Sequence, residues 1–249
     1  MREQGRAVDC RLWYEACVDY NAAGIFTGLL LVSTDSTGAA NVFVGDKSPS
    51  YINQLDLLNA SFPNACFIHI VRDARDYCLS INRAWGKNMV RAASRWSASV
   101  DGFLKMKNRL KCHELRYEDL VSNPQRELER VCDFIGIPFE SKMTAPAAPV
   151  ENLGDARGVL EVMPQNTQKF EKLMSASLRQ KIEQVACKEM RNYGYVTQWQ
   201  GEPRNTGAVA NLALQILDGI NLVRHERRNR GIIGSIVFYW RYFRATRAL

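Results

Sequence analysis

The run CFIHIV at residues 66–71 most constrains how this chain can fold. It is almost continuously apolar, it is rich in β-branched and aromatic residues, and Pro63 lies shortly before it. Such a run is typical of a strand that is buried on both faces, as the strands of a parallel sheet are. The run ends abruptly at Arg72 and Asp73, where a helical pattern begins. The sequence therefore predicts a strand over 66–72 that leads directly into a helix.

Strand and helix patterns alternate along much of the remaining chain. Residues 7–32 have helical spacing, residues 40–46 (ANVFVGD) and 112–117 (CHELRY) are strand patterns, and a helix starts at Asn123–Pro124 and stops before Gly136. Asparagine is a good N-cap, proline is favoured at the first helical position, and glycine commonly ends a helix. This alternation predicts a three-layer α/β/α domain with a mainly parallel central sheet.

The charge of the chain is concentrated at one end. The net charge is +7, but residues 224–249 contain seven arginines, one glutamate and no lysine, so this tail alone carries +6. We therefore divide the chain into an α/β domain at 1–200 and a basic, apolar-aromatic helical tail at 201–249. The nearly neutral domain disfavours a nucleic-acid-binding protein, which is the least favoured of the functional hypotheses.

The tail has two interpretations. Its apolar core of about ten residues is too short to span a bilayer. Arginines mixed with aromatic residues suit a helix that lies on an anionic membrane surface. A C-terminal helical pair that packs on the domain, with its arginines outward, fits the same pattern. The charge would also attract a sulfated or acidic glycan.

The cysteines indicate a reducing compartment. There are seven, they are scattered, and none are spaced C-x-x-C, which disfavours both a disulfide framework and a zinc site. No residue set has the spacing of metal ligands. We expect a cytoplasmic protein, with or without peripheral contact to a membrane surface.

The charged end of the first strand pattern is the strongest candidate for a binding site. Arg72 ends the strand and Ser80 lies about two turns into the following helix. In α/β folds anions bind at the carboxyl ends of strands, where helix N-termini offer free N–H groups, and an arginine fork with a serine hydroxyl suits a phosphate group. The alternative is a purely structural turn, with Asp73 as N-cap and with Arg75 and Asp76 in exposed ion pairs.

Three ordered segments resemble the sulfotransferases that use 3′-phosphoadenosine 5′-phosphosulfate (PAPS). The segment FPNACFIHIVRDARDYCLSINRAW is similar to the 3′-phosphate-binding segment of that family, which has an aromatic-Pro-x-Ala lead-in, a buried strand, Arg-Asp, and a serine eight residues after the arginine. GDKSPSY (45–51) and RYEDLVSNPQRELERVCDFIGIP (116–138) resemble two further family segments. The residues in register in the first segment are Phe62, Pro63, Ala65, Arg72 and Ser80. The resemblance covers about residues 40–195.

The resemblance implies a fold, a donor and roles for individual residues. It implies a P-loop NTPase-like sulfotransferase fold and PAPS as the sulfuryl donor without a metal. Arg72 and Ser80 would bind the 3′-phosphate. Lys47 would contact the sulfuryl group or the acceptor. Asp46 is a candidate catalytic base, with a capped turn residue as the alternative.

The resemblance also implies a late loop over the adenine side of the nucleotide. Candidates there are Arg157, Gly158 and Lys169, and a solvated loop and helix face is the alternative for each. The acceptor stays open: a hydroxyl or amine of a carbohydrate, small alcohol, lipid or peptide, because acceptor pockets are built on variable loops.

One expected segment is missing from the pattern. The family begins with a strand and a Pro-x-Ser/Gly-Gly-Thr loop for the 5′-phosphosulfate, and residues 1–45 contain no such loop. Either the chain is an N-terminally incomplete sulfotransferase, or it is a degenerate member that keeps the fold and has lost transfer. The leading hypothesis is a sulfotransferase, and the alternative is an inactive relative that binds a nucleotide or a partner.

Overall fold

The computed structural model describes residues 8–37, 43–145 and 162–204 and, further along, residues 207, 212–221, 223, 224, 227, 231 and 234. The internal contacts of the chain divide it into two compact units. The first contains Met1–Phe67 and Gly102–Cys112, and the second contains Ile68–Asp101 and His113–Leu249. The boundary at residue 200 that we infer from the sequence stays a prediction.

The first unit begins with two helices in the region where the sequence predicts helix over 7–32. These are α1 (Cys10–Ala16) and α2 (Ala22–Ser33). The side chain of Asn21 caps α2 by accepting a hydrogen bond from the N–H of Gly24 at 2.9 Å. The asparagine cap explains why a second helix starts at Ala22, because its side chain satisfies an N–H that has no partner within the helix.

The packing of these two helices requires a glycine. A Cβ on Gly28 would lie 2.9 Å from Sγ of Cys17, which is closer than such atoms approach. Trp13 holds the same pair together by donating its indole N–H to the carbonyl of Ile25 at 2.9 Å. The glycine in this helical pattern therefore marks a close approach of two helices.

The rest of the first unit packs around a small apolar cluster. A 3₁₀ turn (Pro49–Asn53) precedes α3 (Leu55–Ser61). A strand is predicted over 40–46, but the described residues of that range, 43–46, form no strand, so the prediction is wrong for residues 43–46. Phe43 is 66% exposed, and the described residues offer no neighbouring strand with which this segment could pair. The cluster contains Leu55, Phe103 and Leu110, surrounded by Ile52, Phe67, Met106 and Cys112.

The described strands, β1 (Phe67–Val71) and β2 (Cys112–Arg116), pair in parallel. At the start of the pair, the N–H of Phe67 donates to the carbonyl of Lys111 at 2.8 Å. Helices make up most of the regular structure. The α/β class with a parallel sheet, which the alternation of patterns predicts, is confirmed.

One face of β1 differs from the sequence-based expectation. Ile68 and Ile70 are 42% and 51% exposed, whereas Val71 is buried and His69 is half-buried. Alternate side chains of a strand point to opposite faces, so one face of β1 is covered and the other is open to solvent. The prediction that this strand is buried on both faces is wrong. An apolar run shows which side chains a strand can bury but does not supply the element that covers them.

Helices α4 (Ala74–Trp85) and α9 (Ala176–Asn192) form the body of the second unit with α5 (Met89–Met106), whose last residues belong to the first unit. Helix α4 begins at its N-cap Asp73 and ends at Gly86, which has the left-handed φ of 66°. Helix α4 packs against α9, and both contribute fully buried side chains.

The helix predicted from Asn123–Pro124 is confirmed as α7 (Pro124–Ile135). Gly136 ends it with φ of 87°, and its N–H donates to the carbonyl of Cys132 at 2.8 Å. A short helix that the sequence did not reveal, α6 (Tyr117–Ser122), starts directly after β2. The strand therefore stops one residue earlier than predicted, before Tyr117.

The last part of the chain is described only in pieces. Of the loop predicted at 141–158, Ser141–Thr144 form a 3₁₀ turn, and residues 146–161 lie outside the described residues. A short helix, α8 (Phe170–Leu173), precedes α9, and residues 212–221 are helical, as the tail pattern predicts. No helix within the described residues is both long enough and apolar enough to cross a membrane.

Candidate functional site

Arg72 lies immediately after β1, at the carboxyl end of the sheet. The turn behind it is fixed by Asp73, whose side chain accepts a hydrogen bond from the N–H of Arg75 at 2.8 Å and so caps α4. The predicted order of strand, arginine and helix is therefore present. Ser80 is half-buried in α4, two turns after that cap. Both residues belong to the second unit.

The guanidinium of Arg72 is held on two sides. Its Cζ lies 4.4 Å from the centroid of the Tyr117 ring, and its Nη2 donates to the carbonyl of Asn166 at 2.6 Å. The side-chain amide of Asn166 in turn donates to the hydroxyl of Tyr117 at 2.9 Å. Tyr117 follows β2 as Arg72 follows β1, so the two strands bring these side chains to one edge of the sheet.

One nitrogen of Arg72 is left without a partner. Its Nε is buried and makes no hydrogen bond to any described residue. A buried N–H without an acceptor costs free energy, and most such groups in folded proteins are satisfied by protein, water or ligand. A bound oxyanion at this edge of the sheet would supply the acceptor.

Glu118 connects this edge to the end of α9. Its Oε1 accepts from the backbone N–H of Asp73 at 3.0 Å, and its Oε2 accepts from the Tyr195 hydroxyl at 2.8 Å. Burial, and then the Glu118 charge, raise the pKa of Tyr195, so its hydroxyl stays a donor. Sequence reasoning singled out neither contact. The signal for Glu118 was that it lies in the segment 116–138, which resembles a family segment, and Tyr195 lies at the end of the stretch that the resemblance covers.

The alternative view of this turn, with Arg75 and Asp76 in exposed ion pairs, is wrong. Arg75 is 6% exposed and donates to both carboxylate oxygens of Asp73, at 3.0 and 2.6 Å, and to Glu183 at 2.7 Å. Its Cζ lies 3.9 Å from the centroid of the Phe170 ring. Burial alone would lower the pKa of Arg75, but the two carboxylates raise it. The arginine is thus a fully paired structural cation that braces the turn behind Arg72.

Asp76 fixes the loop that approaches Arg72. It is fully buried, and its Oδ1 accepts from the backbone N–H of Phe170 at 2.9 Å. Burial raises the pKa of Asp76, against the lowering effect of that hydrogen bond and of the Arg72 charge. Its Oδ2 has no hydrogen-bond partner among the described residues. Asn166 and Phe170 therefore attach residues 166–170 to the site at two points.

Lys169, predicted to lie on the adenine side, belongs to this attached loop. It is half-buried and precedes Phe170 at the start of α8. The preceding residue, Gln168, has the left-handed φ of 55°. Lys169 thus lies in the chain between the two points where the loop is attached. The other two candidates of this group, Arg157 and Gly158, lie outside the described residues.

Asp46 and Lys47 belong to the first unit, and both are exposed in an irregular segment. The expected strand end before Lys47 is not present in the described residues. Asp46 accepts a hydrogen bond from the hydroxyl of Tyr51. Burial and that carboxylate raise the pKa of Tyr51 to about 12. The contact fits the interpretation of Asp46 as a turn residue and gives Tyr51, the last residue of the GDKSPSY segment, a hydrogen-bond partner.

His69, the histidine within β1, has the partners of an interior residue. Its side chain is 11% exposed, and its Nδ1 lies 3.4 Å from the Tyr193 hydroxyl and 4.0 Å from Oε2 of Glu114. The same tyrosine hydroxyl donates to Glu114. These contacts join β1, β2 and the end of α9, so His69 has a structural role in this part of the second unit.

A cavity of about 180 Å³ lies against α4 and α5. It is bounded by Tyr77, Ile81, Trp85, Lys87, Ala92, Arg95 and Asp218. Burial, and then the nearby charge of Arg95, lower the pKa of Lys87. None of the predicted site residues lines this cavity. In the described part of the chain no group of histidine, cysteine and carboxylate side chains could hold a metal ion.

Comparison with known proteins supports one family. Residues 15–141, just over half of the chain, match the family model described as "Sulfotransferase family". Comparison with curated proteins found no significant match. Two solved structures are similar in fold, each at 20% identity: the sulfotransferase domain from the curacin biosynthetic pathway and that from the Synechococcus PCC 7002 olefin synthase.

The curacin domain has a TM-score of 0.52, and the match covers 70% of this chain and 75% of that domain. The Synechococcus domain has a TM-score of 0.55, with 78% of this chain and 83% of that domain covered. These likenesses agree with the three sequence segments that resemble sulfotransferases. The chain belongs to the sulfotransferase family.

Proposed function

We propose that this protein transfers a sulfuryl group from PAPS to a hydroxyl or amine of an acceptor. The observation that carries the proposal is the buried, unpartnered Nε of Arg72 at the carboxyl end of β1. A phosphate oxygen is a strong acceptor for a guanidinium N–H. The 3′-phosphate of PAPS is therefore a ligand group that fits the residues present.

Some residues of the second unit would contact the 3′-phosphate directly, and others would hold those residues in position. Arg72 would donate to the 3′-phosphate, and the hydroxyl of Ser80 would add a hydrogen bond from α4. Glu118 would hold the N–H of Asp73 and so keep the turn fixed. Tyr117 and Asn166 would keep the guanidinium oriented. A side chain that is already held loses less conformational freedom when the ligand binds.

Bound PAPS would supply the sulfuryl group, which leaves the 5′-phosphate when the acceptor oxygen or nitrogen forms its bond to sulfur. Such transfers depend mainly on positioning and on neutralising negative charge. Lys47 is our candidate to contact the sulfuryl group or the acceptor, and Asp46 is a candidate to take the acceptor's proton. The hydrogen bond from Tyr51 makes Asp46 the weaker of these two assignments.

An inactive relative that binds a nucleotide or a partner is the second candidate. Both this candidate and an N-terminally incomplete sulfotransferase fit the segment before β1, where the described residues 8–37 form two helices and no strand. The strand-loop-helix unit that would bind the 5′-phosphosulfate is therefore not present in that described segment. Binding without transfer would be the expected behaviour of such a protein.

The test is calorimetric titration of the full chain with 3′,5′-adenosine bisphosphate, with AMP as the ligand that lacks the 3′-phosphate. We expect the bisphosphate to bind more tightly than AMP. The Arg72→Ala variant should remove that preference, with a loss of about tenfold to a hundredfold, since a hydrogen bond to a charged group contributes about 1.5–3 kcal/mol. Arg83→Ala, an exposed arginine of the same helix, is the matched control.

The outcomes separate the hypotheses. Equal binding of the bisphosphate and AMP, or an unchanged preference in Arg72→Ala, would contradict the 3′-phosphate site. The second arm incubates the protein with PAPS and a panel of carbohydrate, phenol and amine acceptors and measures release of the bisphosphate. Binding that depends on Arg72 without any release would favour the inactive relative or an N-terminally incomplete sulfotransferase over an active enzyme.

A further inference from the structure

The helical segment 212–221 turns a carboxylate toward the protein and aliphatic side chains toward solvent. Asp218 is only 7% exposed. Its Oδ1 accepts from the N–H of Asn88 at 2.6 Å, and its Oδ2 accepts from Nη1 of Arg91 at 2.5 Å. Leu214 and Asn221, which lie four residues before and three after it, are half-buried. The inward face of this segment is therefore attached to Asn88 and Arg91 mainly through the carboxylate of Asp218.

The outward face carries a stripe of exposed aliphatic residues. Leu212, Ile216 and Ile220 recur every four residues and are 59%, 59% and 43% exposed. Val223, which is also helical, continues the stripe at 48%, and Leu217 beside it is 48% exposed. Residues at this spacing lie on one side of a helix. The arrangement is the reverse of an ordinary surface helix, which buries its apolar side.

Positive charge adjoins the aliphatic stripe. Arg224 and Arg227 follow in helical conformation, and both are exposed. The sequence from residue 224 onward contains seven arginines and one glutamate. An exposed aliphatic stripe bordered by arginines matches the chemistry of an anionic lipid surface, where headgroups attract the cations and the acyl boundary accepts the aliphatic side chains.

We propose that the aliphatic stripe and the adjoining arginines dock this protein on an anionic membrane surface, with Asp218 holding the helix so that the stripe faces the lipid. A partner that is only hydrophobic would leave the arginines without a role. A second copy of the chain would bring like charges together, which costs free energy. The charge therefore selects anionic lipid over a second copy. This docking does not depend on the proposed sulfuryl transfer.

The test is co-sedimentation of the full chain with phosphatidylcholine vesicles, alone and mixed with phosphatidylserine. We expect binding to the mixed vesicles and little binding to phosphatidylcholine. Ile216→Ser with Ile220→Ser should weaken it about tenfold or more, through lost apolar burial. Arg224→Gln with Arg227→Gln should do the same, because each cation near such a surface contributes about 1 kcal/mol.

The matched control variants replace exposed aliphatic residues and exposed arginines that lie outside the aliphatic stripe and its adjoining arginines. Leu57→Ser with Val196→Ser removes two other exposed aliphatic residues, which are 62% and 84% exposed. Arg83→Gln with Arg109→Gln removes two other exposed arginines. Both control pairs should bind vesicles as the original chain does.

Three results would overturn the proposal. They are absence of binding to the mixed vesicles, equal binding to both lipid compositions, and binding that the control pairs weaken as much as the stripe and arginine variants do. Light scattering adds a separate readout. A dimer that dissociates in Ile216→Ser with Ile220→Ser, without vesicle binding, would assign the stripe to self-association and would also refute lipid docking.

Discussion

At the scale of single residues, Glu118 determines how firmly the turn beneath Arg72 is held. Its two oxygens accept from the N–H of Asp73 and from the hydroxyl of Tyr195, and its Oε2 lies 3.9 Å from Nε of Arg116. These contacts join the ends of both strands to the residues after α9. A single carboxylate thus links the edge of the sheet that carries Arg72 to the body of the second unit.

We expect Glu118→Ala to lower both stability and nucleotide affinity. Leaving a buried donor without its acceptor costs about 1–3 kcal/mol, and here two donors on buried residues, Asp73 and Tyr195, lose their partner. The affinity for 3′,5′-adenosine bisphosphate should fall because the turn that carries Arg72 becomes less fixed. Thermal unfolding and calorimetric titration measure the two effects.

The neighbouring residue offers a control for that variant. Asp119 is also a carboxylate, but its side chain is 48% exposed and lies 4.0 Å from Nε of Arg116. Asp119→Ala should leave both stability and affinity nearly unchanged, as is usual for an exposed pair. If the two alanine variants behave alike, Glu118 does not have the positioning role that its contacts indicate.

At the scale of elements, a buried ionic network joins α4 to α9. Arg75 of α4 binds Glu183 of α9, and the second oxygen of Glu183 accepts from the N–H groups of Gln198 and Trp199 at 2.8 and 2.9 Å. Glu183 is fully buried. Every charge in this network has partners, which is the condition under which a buried ion pair is tolerated.

We expect Glu183→Ala to destabilise the protein by about 3–5 kcal/mol, the range measured when one partner of a buried pair is removed. The loss follows because Arg75 would keep only Asp73 and two backbone N–H groups would lose their acceptor. Urea unfolding gives the change, with Lys181→Ala, an exposed residue of the same helix, as control. A loss below about 1 kcal/mol, the value of an exposed pair, would contradict this account.

The elements also show what the sequence could predict and what it could not. Local signals were sufficient for α7, because the cap at Asn123, the proline after it and Gly136 act within a few residues. They were sufficient for the turn from β1 to α4, because Asp73 caps its own helix. The position of Arg72 could therefore be predicted from the sequence.

The partners of that site could not be predicted, because they come from distant parts of the chain. Glu183 lies 108 residues from Arg75, and Asn166 lies 94 residues from Arg72. Charged residues such as Arg75 and Asp76 look exposed in a sequence, since nothing local shows that a partner buries them. The exposure of Ile68 and Ile70 has the same cause, because it depends on which element covers β1.

At the scale of the whole molecule, charge and binding chemistry are separated along the chain. The tail from residue 224 carries +6 of the net +7, whereas the residues before it are nearly balanced. The nucleotide site that we propose depends on one partly buried arginine with fixed neighbours. The membrane docking that we propose depends on the exposed arginines beside the aliphatic stripe, and exposed charges are screened by salt more strongly than buried ones.

We therefore expect vesicle binding and nucleotide binding by the full chain to respond differently to salt. Raising NaCl from about 0.05 M to about 0.5 M, which shortens the screening length severalfold, should release the protein from mixed vesicles. The preference for 3′,5′-adenosine bisphosphate over AMP should fall much less, because in the site that we propose Arg72 would contact its ligand at a partly desolvated edge of the sheet. Co-sedimentation and calorimetry on the same samples compare the two. Parallel losses would mean that both ligands use the same exposed charges, and the nucleotide site would then have to be reassigned from Arg72 to the tail.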